Sequence, residues 1–128
     1  MNNPFRILAF VLIVSLTFFS CEEKEEPIEF SVSSNNLQYE WEEQTQVLSI
    51  TSNQDWTINT QAAWITISPN SGSGNAQVSV TVERNELEND RTARLNVQHG
   101  TNVTPVEVSQ VANPSPKADY HIPADNTD

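Results

Sequence analysis

Beyond residue 27 the chain alternates between apolar and polar positions with a period of two. Ala76, Val78, Val80 and Val82 form the longest series, followed by Ala93, Leu95 and Val97. Leu48 with Ile50, Trp56 with Ile58, and Val106 with Val108 repeat it. Strands point successive side chains to opposite faces, so each segment would bury one face and leave a Ser/Thr/Gln/Glu face in water. The pattern predicts strands at Ile28–Ser33, Leu37–Trp41, Gln46–Ser52, Trp56–Thr60, Trp64–Ser68, Asn75–Arg84, Arg91–Gln98 and Val103–Val111. Turn-forming residues separate them: Asn35-Asn36, Asn53-Gln54-Asp55, Pro69-Asn70-Ser71-Gly72, Asn89-Asp90 and His99-Gly100. Many short strands at near-regular spacing, with no βαβ rhythm, predict an all-β antiparallel sandwich of seven to eight strands. The foldable body is expected at 28–113. Pro114, Pro116 and Pro123, with few apolar neighbours, mark 114–128 as a disordered tail.

The N-terminus has a different pattern. Ile7–Phe19 is an oily run interrupted only by Ser15 and Thr17, preceded by Arg6 and the α-amino charge. As a helix it would reach about 20 Å, short of the roughly 30 Å hydrocarbon core of a bilayer. A short positive head before such a run reads as an export signal over 1–20. Phe18 is bulky for the small-residue pocket of ordinary signal cleavage. Phe18-Phe19-Ser20-Cys21 instead resembles a bacterial lipobox, with Phe where Leu is usual, and Cys21 is the only cysteine in the chain. Glu22, Glu23, Glu25 and Glu26 make 21–27 an acidic linker and resemble the export tag of Bacteroidetes surface lipoproteins. Lipidation of Cys21 is therefore expected, since two or more acyl chains anchor stably where one is marginal. An uncleaved anchor and a secreted protein with a stray thiol fit less well. The expected location is the outer membrane, lipid-anchored and facing the exterior.

Charge narrows the partners. The 128 residues carry a formal net charge of −11. After residue 20 there are five Lys or Arg against seventeen Asp or Glu. Nucleic-acid backbones and anionic lipid surfaces would be repelled. One cysteine makes no internal disulfide, and no Cys/His set has zinc spacing, so no cofactor or metal is expected.

Two segments carry a family resemblance. TSNQDWTINTQAAWITISPNSGSGNAQVSVTVERN spans Thr51 to Asn85, and RTARLNVQHGTNVTPVEVSQVAN spans Arg91 to Asn113. Together they resemble the BACON domain of Bacteroidetes: a Ser-Asn turn before Trp56, a second Trp at 64, Ser-Pro with Gly72 and Gly74, a valine strand ending near Asn85, an Arg opening the next strand, and a final V-x-V-x-Q. Glu42-Glu43-Gln44-Thr45 departs from the glycine turn usual in the family, and Trp41 stands where a smaller residue is commoner. The resemblance implies an immunoglobulin-like sandwich at the cell surface. It also implies carbohydrate binding, for which the family is named.

A sugar platform needs an exposed aromatic face with polar groups beside it. Trp56 alternates in phase with Ile58 and is expected in the core. Trp64 falls out of phase with Ile65 and Ile67, although the resemblance hints at packing there. Trp41 lies against an acidic turn; partial cover at a strand end is its simplest reading. As the sugar-stacking residue Trp41 is the choice, with Tyr39 and Glu43 as neighbours and Trp64 as a second candidate. The oxygen-rich turn Asn85–Asp90 lacks the glycine of an EF-hand loop and reads as a solvated turn. Gly72-Ser73-Gly74 lacks the flanks of a nucleophile elbow or a P-loop. His99 and His121 have no acid or nucleophile partner, and no facing pair of carboxylates is evident, so no catalysis is expected. Gln110, in phase with Val106 and Val108, is expected to be buried and bonded to backbone. The expected function is a surface lipoprotein binding a glycan or glycoprotein weakly. The alternative is a non-catalytic accessory or spacer sandwich engaging a protein partner. The short tail after the domain, leaving no passenger to hold, tilts the balance towards interaction.

Overall fold

A computed structural model describes Glu22 and residues 24–116. The expected signal peptide, the expected lipidation site Cys21 and residues 117–128 of the expected tail lie outside the described residues.

Nine strands form in order: β1 (Phe30–Val32), β2 (Asn36–Tyr39), β3 (Gln44–Ser52), β4 (Asp55–Asn59), β5 (Ile65–Ser68), β6 (Ser71–Ser73), β7 (Ala76–Val82), β8 (Arg91–His99) and β9 (Asn102–Gln110). They build two sheets, β1-β3-β7-β5 and β2-β9-β8-β4-β6. A four-stranded sheet facing a β9-β8-β4 sheet is the immunoglobulin-like arrangement. The core is the alternation made solid: Leu48 and Ile50 of β3 and Val78, Val80 and Val82 of β7 face Trp56, Ile58, Leu95, Val97, Val106 and Val108 of the other sheet, all buried.

The observed structure departs from the predicted strands in four places. All pairings are antiparallel except β2, which runs parallel to β9 with Leu37 opposite Val108. Here the chain passes from β1 in one sheet to β2 in the other, so Leu37 and Tyr39 can enter the core from the second sheet. The ninth strand, β6, begins inside the predicted turn Pro69–Gly72 and ends at Ser73. Its Gly72 pairs with Trp56, and a Cβ at Gly72 would come within 2.6 Å of Trp56 Cζ2, so only glycine lets the indole lie against this backbone. His99 ends β8 and is buried, where a turn was expected; its ring stacks on Phe30 at 3.6 Å, and Nε2 reaches Thr104 Oγ1. Gly100, at φ 56°, opens the two-residue connection to β9 as a type II′ hairpin requires. Trp41 and Trp64 both fall just outside the strands predicted to contain them.

The strand register separates two poles. Phe30, Ser52, Asp55 and His99 mark the end where β1 begins. Tyr39, Gln44, Val82, Arg91 and Gln110 mark the end where β9 finishes. The outermost strands of both sheets are short: β1 and β6 have three residues, β2 and β5 four.

Candidate functional site

The pole at the end of β9 is held by one buried amide. Gln110 Nε2 donates towards the carbonyls of Glu40, Trp41, Glu42 and Glu83 at 3.0–3.3 Å. Its Oε1 accepts from Arg91 Nε at 2.8 Å. Arg91 Nη2 donates to the Glu83 carbonyl at 2.7 Å. Burial lowers the Arg91 pKa from its ordinary value, and Glu83 opposes that shift. The expectation of a buried, backbone-bonded Gln110 thus holds, and its partners join the β2–β3 connection to the exit of β7.

Both candidate tryptophans stand beside that exit. Trp64 O accepts from Glu83 N at 2.9 Å, and Trp41 O from Asn85 N at 2.7 Å. Each indole has an arginine over one face: Arg91 Cζ lies 4.2 Å from the Trp64 ring centroid and Arg84 Cζ 4.4 Å from that of Trp41. Both are half-buried. Tyr39, expected at the surface beside Trp41, is instead a core residue whose hydroxyl donates to the Val80 carbonyl at 2.8 Å. Burial pushes its phenol up to about 12. Parallel pairing with β9 turns this side chain inward, so Tyr39 cannot meet a ligand at Trp41. Glu43 is exposed on the β2–β3 connection. The structure therefore does not gather Trp41, Tyr39 and Glu43 into one surface. The Asn85–Asp90 turn is built around its first residue: Asn85 is fully buried and its Nδ2 donates to the carbonyls of Asn89 and Val111. Among the described residues no group of three or more His, Cys, Asp or Glu could hold a metal ion.

Trp64 does line a depression. β4 pairs with β8 only across Asn96–His99, then leaves at Thr60 to cross to the other sheet. Among the described residues no strand covers Arg91–Leu95 on that side; Thr60 Oγ1 caps the Arg94 carbonyl, at 3.0 Å. The gap is an open groove of about 390 Å³, with Thr60, Gln61, Trp64, Thr92, Arg94 and Asn96 on its walls. Hydroxyl, amide and indole groups converge there. Arg94 is committed to Glu107 at 2.8 Å on the exposed sheet face. Of the residues picked from sequence, only Trp64 belongs to this groove. Thr92, Arg94 and Asn96 could have been found as the polar phase of β8; Thr60 and Gln61 depend on where β4 parts from β8, which no local pattern signals.

Residues 54–111 match the family model of BACON, described as "Putative binding domain, N-terminal". Over 126 residues, 95% of this chain, the sequence is 29% identical to the xyloglucan-specific endo-beta-1,4-glucanase BoGH5A of Bacteroides ovatus. The match spans 25% of that enzyme's length, so the chain corresponds to about a quarter of the curated relative it matches. The solved structure of a Bacteroides ovatus GH5 xyloglucanase in complex with a XXXG heptasaccharide aligns with a TM-score of 0.62 at 29% identity, over 79% of this chain and 22% of that one. A Bacteroides thetaiotaomicron protein solved by NMR aligns with a TM-score of 0.50 at 16% identity, over 70% of this chain and 90% of its own. The periplasmic chaperone SfaE aligns with a TM-score of 0.51 at 13% identity, over 66% of this chain and 58% of its own, a likeness of fold alone. The segment from residue 54 to residue 111, which carries β4 through β9 and most walls of the groove, is a BACON domain.

Proposed function

We propose that this sandwich is a non-catalytic glycan-binding module, held at the outer face of the cell by lipid on Cys21. The groove beside Trp64 carries the reading. Its walls offer an indole for the apolar face of a sugar ring, with Thr60, Gln61, Thr92 and Asn96 placed to bond ring hydroxyls. The site is shallow and open to solvent, which fits weak binding. A BACON match, and likeness to an enzyme named for xyloglucan, make xyloglucan fragments the first ligands to try and mucin glycans the second. Titration calorimetry on the full chain in detergent is expected to give millimolar or better binding to at least one of them. Trp64→Ala should abolish it and Trp41→Ala should spare it. Silence across both sets of glycans removes this reading. The anchor is tested separately: Cys21→Ser should move the protein out of the detergent phase on cell fractionation.

A second reading rests on a different observation. β1 begins at one pole and β9 ends at the other, so the chain enters and leaves the sandwich at opposite ends. That geometry suits an accessory module that sets a distance between membrane and partner. Cross-linking on intact cells from a cysteine placed at Ser115, exposed beyond β9, would recover one specific neighbour under this reading, and none under the first.

A further inference from the structure

The groove beside Trp64 does not end at β8. Thr92, exposed on that strand, also borders a second depression of about 300 Å³ on the same outer face, with Gln38, Glu40, Asp90 and Ser109 among its walls. The two hollows thus meet at one side chain. Together they run from the segment that follows β4 across β8 and β9 to β2. At about 4.8 Å between strands, β8 to β2 is about 10 Å of sheet, the length of roughly two pyranose rings, and the Trp64 groove lies beyond it.

The two halves differ in charge. At the Trp64 end the cations are already engaged: Arg94 by Glu107 at 2.8 Å, and Arg91 by Gln110, the Glu83 carbonyl and the indole face. At the far end Glu40 and Asp90 are exposed and no salt bridge engages either one among the described residues. One Asp90 oxygen accepts from Ala112 N at 2.8 Å, which fixes the carboxylate at the rim. A uronate or sialate laid across this far end would meet these two negative charges, and like-charge juxtaposition at an interface is strongly disfavoured.

Building on the glycan reading above, we infer that the ligand is a neutral oligosaccharide that spans both hollows, and that Glu40 and Asp90 reject acidic glycans. Affinity should then grow with chain length until the trough is filled, and carboxylation should weaken it.

The test uses the full chain in detergent with four probes: cellobiose, cellotetraose, the xyloglucan heptasaccharide, and cellotetraose oxidised at C6 to its glucuronate form. The neutral tetramer or heptamer should bind at least about tenfold tighter than the dimer, and about tenfold tighter than the oxidised tetramer, each equal to about 1.4 kcal/mol. Gln38→Trp, at an exposed β2 position that borders only the second hollow, should remove the gain from length while leaving dimer binding in place. Glu40→Gln with Asp90→Asn keeps the oxygen that holds Ala112 and should bring the oxidised tetramer to within about threefold of the neutral one. Equal binding of dimer and tetramer, or of neutral and oxidised tetramers, overturns this inference while the glycan reading survives. No binding by any of the four probes, or by mucin glycans, overturns both.

Discussion

The guanidinium of Arg91 lies against the Trp64 indole, 4.2 Å from its centroid, while its Nε donates to Gln110 at the heart of the same pole. One side chain therefore ties the wall of the groove to the buried amide that fastens the β2–β3 connection. The groove's shape depends on this contact as much as on Trp64 itself.

Arg91→Ala should cost stability twice. It removes a cation–π contact of about 0.5–2 kcal/mol and leaves the buried Gln110 oxygen unpaired, at about 1–3 kcal/mol. A urea transition is expected to shift down by about 2–3 kcal/mol. Arg91→Lys keeps the charge but not the planar fork, and should recover less than half of the loss.

Gln110→Ala should be among the most damaging single changes. Two amide hydrogens serve four backbone carbonyls from two separate segments, and alanine leaves all four without that donor. A loss of about 2–4 kcal/mol is expected in chemical denaturation, with hydrogen exchange rising first at residues 40–43 and 83. Gln110→Glu should fare no better, since a carboxylate facing carbonyls can offer them nothing to accept.

Much of this architecture was legible in the sequence. The valines of β7, the Leu95–Val97 pair and the Val106–Val108 pair all sit where period-two reading puts them, because burial on one face is a local signal. So was Gln110, whose phase contradicted its polarity. Tyr39 and His99 were not. Tyr39 shares its phase with Trp41, and only the switch of β2 to the second sheet sends one inward and leaves the other at the rim. His99 looks like a turn residue until Phe30, sixty-nine positions earlier, covers its ring. The groove was hidden for the same reason: it exists because β4 leaves β8 early, and departure of one strand from another is written in neither strand alone.

Gly72→Ala should destabilise by about 1–3 kcal/mol although glycine usually tolerates alanine when φ is ordinary. The added methyl would sit 2.6 Å from Trp56 Cζ2, and Trp56 is pinned by its own Nε1 bond to the Gly74 carbonyl at 2.9 Å. Near-ultraviolet circular dichroism, which reports on fixed tryptophans, should change before the strand content does.

Alkaline titration should find Tyr39. Its phenol ionises near 12 in the fold and near 10 in the unfolded chain, so the unfolded state sheds its proton first as pH rises. Stability supplied by the neutral, buried phenol is complete below pH 10 and drains away between about 10 and 12. Tyr39→Phe should flatten that decline and, by losing the bond to Val80, start about 1 kcal/mol lower at neutral pH. A decline of unchanged steepness in the variant would assign it to another group.

The three- and four-residue strands that close each sheet bear on how such molecules behave when crowded. Among the described residues each of these outermost strands offers an intruding chain only three or four residues of its own edge, a poor start for fibre growth.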